Sequence, residues 1–309
     1  MTTFGEPLMS DHNLPTVAFL GLGIMGLPMA KRLADAGFPV RAWNRSHARA
    51  AELKHPGATI CATASEAVKG ARIVIVMLSS GPVVDKVLFD VDENGHSPSE
   101  VIEPGSLVIV MSSIPVETAK AQAEILAQKD VRFLDAPVSG GEPGAKDGTL
   151  TIMVGGKAQD FERASAVFAP LGRAVHVGPT GSGQLAKLAN QVIVGVTIAA
   201  VSEALILAEA GGADPAAVRE ALLGGFADSA ILRQHGQRII ERNFIPGGHA
   251  TTQLKDLTTA SNHAASLGRS LPFLNLCREE FEAMCRHDMG DHDHSALFLE
   301  LEQKSRMPD

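Results

Sequence analysis

Residues 17–30, VAFLGLGIMGLPMA, decide the fold. Val17–Leu20 is a short apolar, β-prone run with no polar alternation, which reads as a strand buried on both faces. Gly21, Leu22, Gly23, Ile24, Met25 and Gly26 follow at once, and Met29, Ala30, Leu33 and Ala34 then recur at helical spacing. A helix opening directly after a glycine turn presents backbone N–H groups and the positive end of its dipole to one point. The glycines permit a tight turn and close approach of the backbone to a pyrophosphate, so the stretch predicts a dinucleotide site.

Working outward, the runs Val40–Trp43, Ile73–Met77, Leu107–Met111, Val131–Leu134, Leu150–Val154 and Ala174–Val177 alternate with helical segments. That alternation predicts a parallel sheet with crossover helices. After GPTGSG at 178–183 the pattern changes to one long apolar helix, a break at Gly211 and Gly212, and shorter helical segments without a convincing strand. The expected fold is α/β: an N-terminal Rossmann-type parallel-sheet domain over 15–180, followed by an all-α domain over 181–309 for substrate binding and oligomerisation.

Bulk properties agree with two soluble domains. A chain of 309 residues exceeds what one hydrophobic core usually serves. The net charge of -8 and the lack of any basic run exclude a nucleic-acid coat. Cys61, Cys277 and Cys285 form no CxxC pattern and read as reduced packing residues, which fits a cytoplasmic protein. The first 14 residues hold no apolar run of signal-peptide type and read as an extension. Leu185–Leu207 is strongly apolar, but Lys187, Asn190, Gln191, Ser202 and Glu203 interrupt it, so no membrane span is expected. A helix apolar nearly all the way round must be covered on most sides, and a homodimer or homotetramer would supply part of that cover.

The second strand ends at Trp43, Asn44, Arg45 and Ser46, where an NAD site usually presents a carboxylate to the ribose. None is present, and Arg45 with its neighbours Asn44 and Ser46 suits a 2′-phosphate, so NADP is favoured over NAD. Leu78, Ser79 and Ser113 follow two further strands and should reach the same crevice. Hydride transfer belongs to such a cofactor, leaving the protein to orient a substrate and move one proton.

Ser139, Gly140 and Gly141 form a loop whose amides could cradle a small carboxylic acid. Lys187, Asn190 and Gln191 share one helix face at spacings of three and four. Desolvation would lower the Lys187 pKa, and about 3 kcal/mol of bias would bring it from ~10.4 towards ~8. On the residues alone Lys187 reads equally as that proton donor or as a surface lysine near a helix start. Lys255, in KDL, is compatible with a place near nicotinamide or phosphate, but the tripeptide alone does not assign it. His287, Asp288, Asp291, His292, Asp293 and His294 lack helical ligand spacing and read as a solvated loop with no metal.

GLGIMGLPMA from Gly21, MSSIP from Met111, DAPVSGGEPGAKDGTLTIMVGG from Asp135, GSGQLAKLANQ from Gly181, KDL from Lys255 and DHSAL from Asp293 occur in this order over about residues 16–300. Together they resemble the β-hydroxyacid dehydrogenase family. The resemblance implies hydride exchange between NAD(P)H and a small 3-oxo or 3-hydroxy acid, with Lys187 as acid/base, Ser139, Gly140 and Gly141 on the substrate, and Lys255 at the cofactor. Ser79 stands where the family commonly has proline, and Gln191 where many members have asparagine, so the orienting role stays open between Asn190 and Gln191. A dinucleotide-binding scaffold without turnover is the non-enzyme alternative, although mere binding would not need Lys187. The absence of tyrosine excludes a Tyr-Lys proton relay.

Overall fold

The computed structural model describes residues 14–92 and 95–306. The leading segment read as an extension lies almost wholly outside them. The strands are β1 Val17–Leu20, β2 Val40–Trp43, β3 Ala58–Ile60, β4 Ile73–Val76, β5 Leu107–Val110, β6 Arg132–Asp135, β7 Val138–Ser139, β8 Leu150–Gly156 and β9 Gly172–Gly178. Their order is β3-β2-β1-β4-β5-β6-β8-β7, with β9 paired to β8. From β3 to β6 every pairing is parallel.

All residues of β1, β4 and β5 are buried because helices cover both faces of the sheet. Val17 and Phe19 pack into one layer with Met29, Ala30 and Leu33, while Ala18 and Leu20 enter the opposite layer with Val74, Val76 and Val108. Each large side chain so buried contributes about 1.5–3 kcal/mol. Chain order reverses direction at β1, which lies between β2 and β4. In such a sheet the crevice for a ligand opens at the carboxyl ends of the strands flanking that reversal.

Three features depart from the strand reading. β3 and β7 were not anticipated, because three and two residues are too short to show a period. β8 runs antiparallel to β6 and β7 rather than extending the parallel order. β9, GRAVHVG, alternates in burial and is therefore a one-sided strand rather than a fully buried one.

Packing divides the chain into two units, 1–187 and 188–309. The division falls inside the long helix Ser182–Ala210. The second unit continues with helices Pro215–Leu222, Ala230–Ile240, Ala250–Ser266, Pro272–Met284 and Leu297–Ser305. Asp214 and Ser229 cap two of these, accepting bonds from the N–H groups of Ala216 and Leu232. Val201, Leu205, Leu232, Ile239 and Phe298 form a core of this unit.

The long helix is apolar and long enough to cross a membrane by length and composition, and 33% of its most apolar window is buried. Leu185, Ile193 and Leu207 stay exposed, so the described residues leave part of the helix uncovered. The His- and Asp-rich segment read as a solvated loop is solvated at His287, Asp288, Asp291 and His292, which are exposed, and departs from that reading at Asp293 and His294. The chain kinks at His287 and Asp288, whose backbone is not helical, His294–Ala296 makes a 3-10 turn, and Asp293 is buried.

Candidate active site

The glycine loop is built by packing as much as by conformation. Gly21 has φ 105, and a Cβ there would meet the Leu78 side chain at 2.8 Å. A Cβ on Gly26 would press on the Phe19 ring at 3.1 Å. A Cβ on Gly23, by contrast, would meet nothing within 4 Å among the described residues, and Gly23 and Ile24 are exposed. Two glycines thus close the turn onto the strands while the middle one leaves open space above the backbone, the arrangement a pyrophosphate requires.

Asn44 braces this loop. Its Oδ1 accepts the Leu22 N–H at 3.0 Å, and its Nδ2 donates to Ser46 O at 3.1 Å. Ser46 Oγ caps the short helix His47–Ala50 by accepting from the Arg49 N–H. Asn44 and Ser46, grouped with Arg45 as cofactor residues, thus each have a structural task as well. Arg45 is exposed beside them at the carboxyl end of β2. Met25 and Leu78 are half-buried, Leu22 is buried, and Ser79 is exposed at the end of β4. Ser113 is half-buried after β5.

Beyond β6 the chain passes through Ser139, half-buried at the end of β7, into Gly140 and Gly141, which have φ 134 and 62. An L side chain is strained at either angle, so this loop demands glycine. Asp135, at the end of β6, is fully buried and accepts the N–H of Gly181 at 2.7 Å and of Gln184 at 2.8 Å. Burial pushes its carboxyl above the ordinary range, and those amides work against the shift. Gln184, also buried, donates from Nε2 to Ser112 O at 2.8 Å and accepts the Ile114 N–H at 3.0 Å. Lys187, half-buried, follows one helical turn later.

In the second unit, Gln191 lies at the centre of a buried network. Its Nε2 donates to Gln253 Oε1 at 3.0 Å and to Asp256 Oδ2 at 2.8 Å, and its Oε1 accepts from Asn190 Nδ2 at 2.9 Å. Lys255 Nζ sits 3.2 Å from Asp256 Oδ1. Asn190, Gln191 and Lys255 are therefore brought together, through two residues that sequence reasoning passed over. Because Asp256 accepts only, it fixes which way the Gln191 amide faces. Of the missed residues, Asp135 closes an apolar strand and Gln184 lies at the start of a mostly apolar helix, which is a signal the sequence offers, whereas Gln253 and Asp256 sit beside Thr252 and Lys255 on a helix rich in polar residues and carry none.

Among the described residues, His235, Asp293 and His294 bring potential metal-ligand atoms within 4.8 Å of one another. The Asp293 oxygens are already engaged. Oδ2 accepts from the N–H groups of Gly247 and Gly248, and Oδ1 from the N–H and hydroxyl of Ser295. Arg238 adds a positive charge 3.8 Å from Oδ2. A cation there would have to displace bonds that hold the backbone, so the trio reads as a fastening rather than a ligand set.

Comparison with known proteins assigns the two halves separately. Residues 16–178 match the NAD-binding domain of 6-phosphogluconate dehydrogenase, and residues 181–301 match the NAD-binding domain of NADP-dependent 3-hydroxyisobutyrate dehydrogenase. The chain is 44% identical over 288 residues to the 2-hydroxy-3-oxopropionate reductase of Escherichia coli, covering 93% of this chain and 97% of that protein. It is 34% identical to the 3-hydroxyisobutyrate dehydrogenase of Pseudomonas aeruginosa, covering 93% and 97%. The structure of the Mycobacterium tuberculosis 3-hydroxyisobutyrate dehydrogenase with L-serine superimposes with a TM-score of 0.84 at 31% identity, covering 93% of this chain and 99% of that one. The chain belongs to the 3-hydroxyisobutyrate dehydrogenase-like family and is an NAD(P)-dependent β-hydroxyacid dehydrogenase acting on a CH–OH group.

Proposed function

We propose that this enzyme reduces tartronate semialdehyde (2-hydroxy-3-oxopropionate) to glycerate, with NADPH preferred over NADH. The observation that carries the reading is the polar stripe Lys187, Asn190 and Gln191 on a helix that is mostly apolar. The same helix starts at the strand end that leads into Ser139, Gly140 and Gly141. The 44% identity to a reductase of this substrate supports the choice of acid.

When bound, the dinucleotide supplies the hydride. The chain's own residues do the rest. Gly21–Gly26 receive the pyrophosphate, Arg45 meets the 2′-phosphate, and Leu78, Ser79, Ser113 and Lys255 line the remainder of the cofactor. Ser139, Gly140 and Gly141 hold the substrate carboxylate, and Asn190 or Gln191 orients the substrate. The Lys187 ammonium gives its proton to the carbonyl oxygen during reduction and recovers it during oxidation. We place the enzyme in the cytoplasm, free of membrane, as a homodimer or homotetramer. Two of its three thiols are buried, and burial pushes Cys277 up to about 12, which suits packing rather than redox use.

Turnover of purified protein on a panel of 3-oxo and 3-hydroxy acids with both cofactors tests the assignment. Tartronate semialdehyde should give the highest kcat/KM, and faster oxidation of 3-hydroxyisobutyrate would replace it. Lys187→Ala should lower kcat by at least about 100-fold while leaving cofactor affinity within about threefold. A variant that keeps most of its turnover would remove the acid/base role and favour a different proton donor.

A further inference from the structure

Asp135 and Gln184 take no direct part in the reaction proposed above, yet both are buried: Asp135 spends its oxygens on amides at the start of the long helix, and Gln184, in that first turn, spends its amide on the backbone that follows β5. Asp135 comes from a strand 46 residues upstream of the amide it binds at Gly181. A serine or threonine at the helix start could satisfy the same N–H groups with less desolvation. Using a buried carboxylate instead adds charge-assisted bonds aimed along the helix axis and leaves little freedom in where the helix begins.

The surroundings are closed around that carboxylate. A Cβ on Gly155 would fall 2.5 Å from Asp135 Oδ1 and 2.6 Å from Gly183 N, and one on Gly183 would fall 2.9 Å from Oδ2. Backbone therefore packs directly on the carboxylate from two sides. Gln184 then fixes the rotation of the helix. Its amide reads a carbonyl, Ser112 O, and an N–H, Ile114 N, so only one flip satisfies both. Ser112 Oγ in turn accepts the Leu78 N–H at 2.7 Å. The chain of bonds from Leu78 through Ser112 and Gln184 to Asp135 joins the ends of β4, β5 and β6 to the first turn of the helix. Lys187 lies on the face of Gln184, three residues on.

We propose that Asp135 and Gln184 are positioning residues that set the height and rotation of Lys187 relative to the strand ends where the nicotinamide ring and substrate must meet. The proposal rests on the reading of Lys187 as the proton donor. Misplacement by about 1 Å is enough to cost a hundredfold in a positioned reaction. Loss of either clamp should therefore slow turnover without loosening the ligands.

Asp135→Asn and Gln184→Met test this in a double-mutant cycle with Lys187→Ala. Asp135→Asn should lower kcat by about 30-fold or more and Gln184→Met by about 10-fold, with substrate KM and cofactor Kd each moving less than about threefold. In the Lys187→Ala background neither change should cost more than about twofold further, because the group they position is gone. A purely structural role predicts the opposite: losses that multiply in the double variants, or a lower Tm with unchanged kcat, and either result overturns the proposal. Full turnover by Lys187→Ala alone defeats the underlying reading and this proposal with it. Loss of turnover by Lys187→Ala combined with normal kcat in the clamp variants defeats the positioning alone. Should Asp135→Asn fail to fold, Gln184→Met carries the cycle.

Discussion

Arg45 is the residue whose task is most exposed to a direct test. It is solvent-exposed at the end of β2, and its neighbours Asn44 and Ser46 are already engaged, one bracing the glycine loop and the other capping a helix. The Arg45 guanidinium has paired, charged donors to offer a 2′-phosphate at this strand end, beside the Ser46 hydroxyl, which accepts from Arg49 and keeps its O–H to give. Arg45→Ala should lower kcat/KM for NADPH by about 10- to 100-fold and change that for NADH by less than about threefold. Steady-state kinetics with both cofactors read the difference, and a parent enzyme with a far lower KM for NADH than for NADPH would end the preference. Asn44→Ala, in contrast, should weaken both cofactors together, since it removes an acceptor from the Leu22 N–H rather than a ligand.

Between elements, two buried carboxylates tie distant backbone together: Asp135 at the start of the long helix and Asp293 in the second unit. Asp293 joins the segment at Gly247 and Gly248 to the turn at Ser295 by four bonds. Burial works to raise its carboxyl, but the pull of His235, Ser295 and His294 outweighs it and holds the group well below the usual carboxylate range. His235 Nδ1 lies 3.6 Å from Oδ1, so its pull is electrostatic rather than a formed hydrogen bond. Asp293→Asn should cost about 2–4 kcal/mol at pH 7, since it leaves buried N–H groups and a nearby cation poorly matched. With the folded-state pKa depressed, that stabilisation is complete above the ordinary aspartate value of ~3.9 and is lost as pH falls through it towards the folded-state value. Thermal melts should therefore show a large Tm gap between parent and variant at neutral pH that narrows by pH 3. A constant gap would mean that charge has no part in the fastening.

At the scale of the whole molecule the long helix Ser182–Ala210 sets the requirement. Ile193 is 67% and Leu207 75% exposed in the single chain, an arrangement unfavourable in water for a helix of this hydropathy. A second copy of the chain laid against this face would cover it. Sedimentation velocity should find a dimer or tetramer for the parent and a smaller species for Ile193→Asp combined with Leu207→Asp. A monomeric parent would leave the exposed face without the proposed cover.

Much of the architecture was legible because it depends on neighbours in the chain. The burial of β1, the glycine turn and the helix after it follow from fourteen consecutive residues, and their order predicts an α/β chain with a dinucleotide crevice. The polar stripe at Lys187, Asn190 and Gln191 was legible for the same reason, as a local spacing on one helix. Tertiary structure decided what those residues are joined to. β3 and β7 exist because partner strands were waiting for them, and β8 reverses direction because β6 offers an edge in that sense. The pairing of Asp135 with Gly181 and Gln184, or of Gln191 with Gln253 and Asp256, links positions 46 to 65 residues apart. Periodicity carries no information over such a span, because it records which face a residue occupies and not which distant group will meet it there.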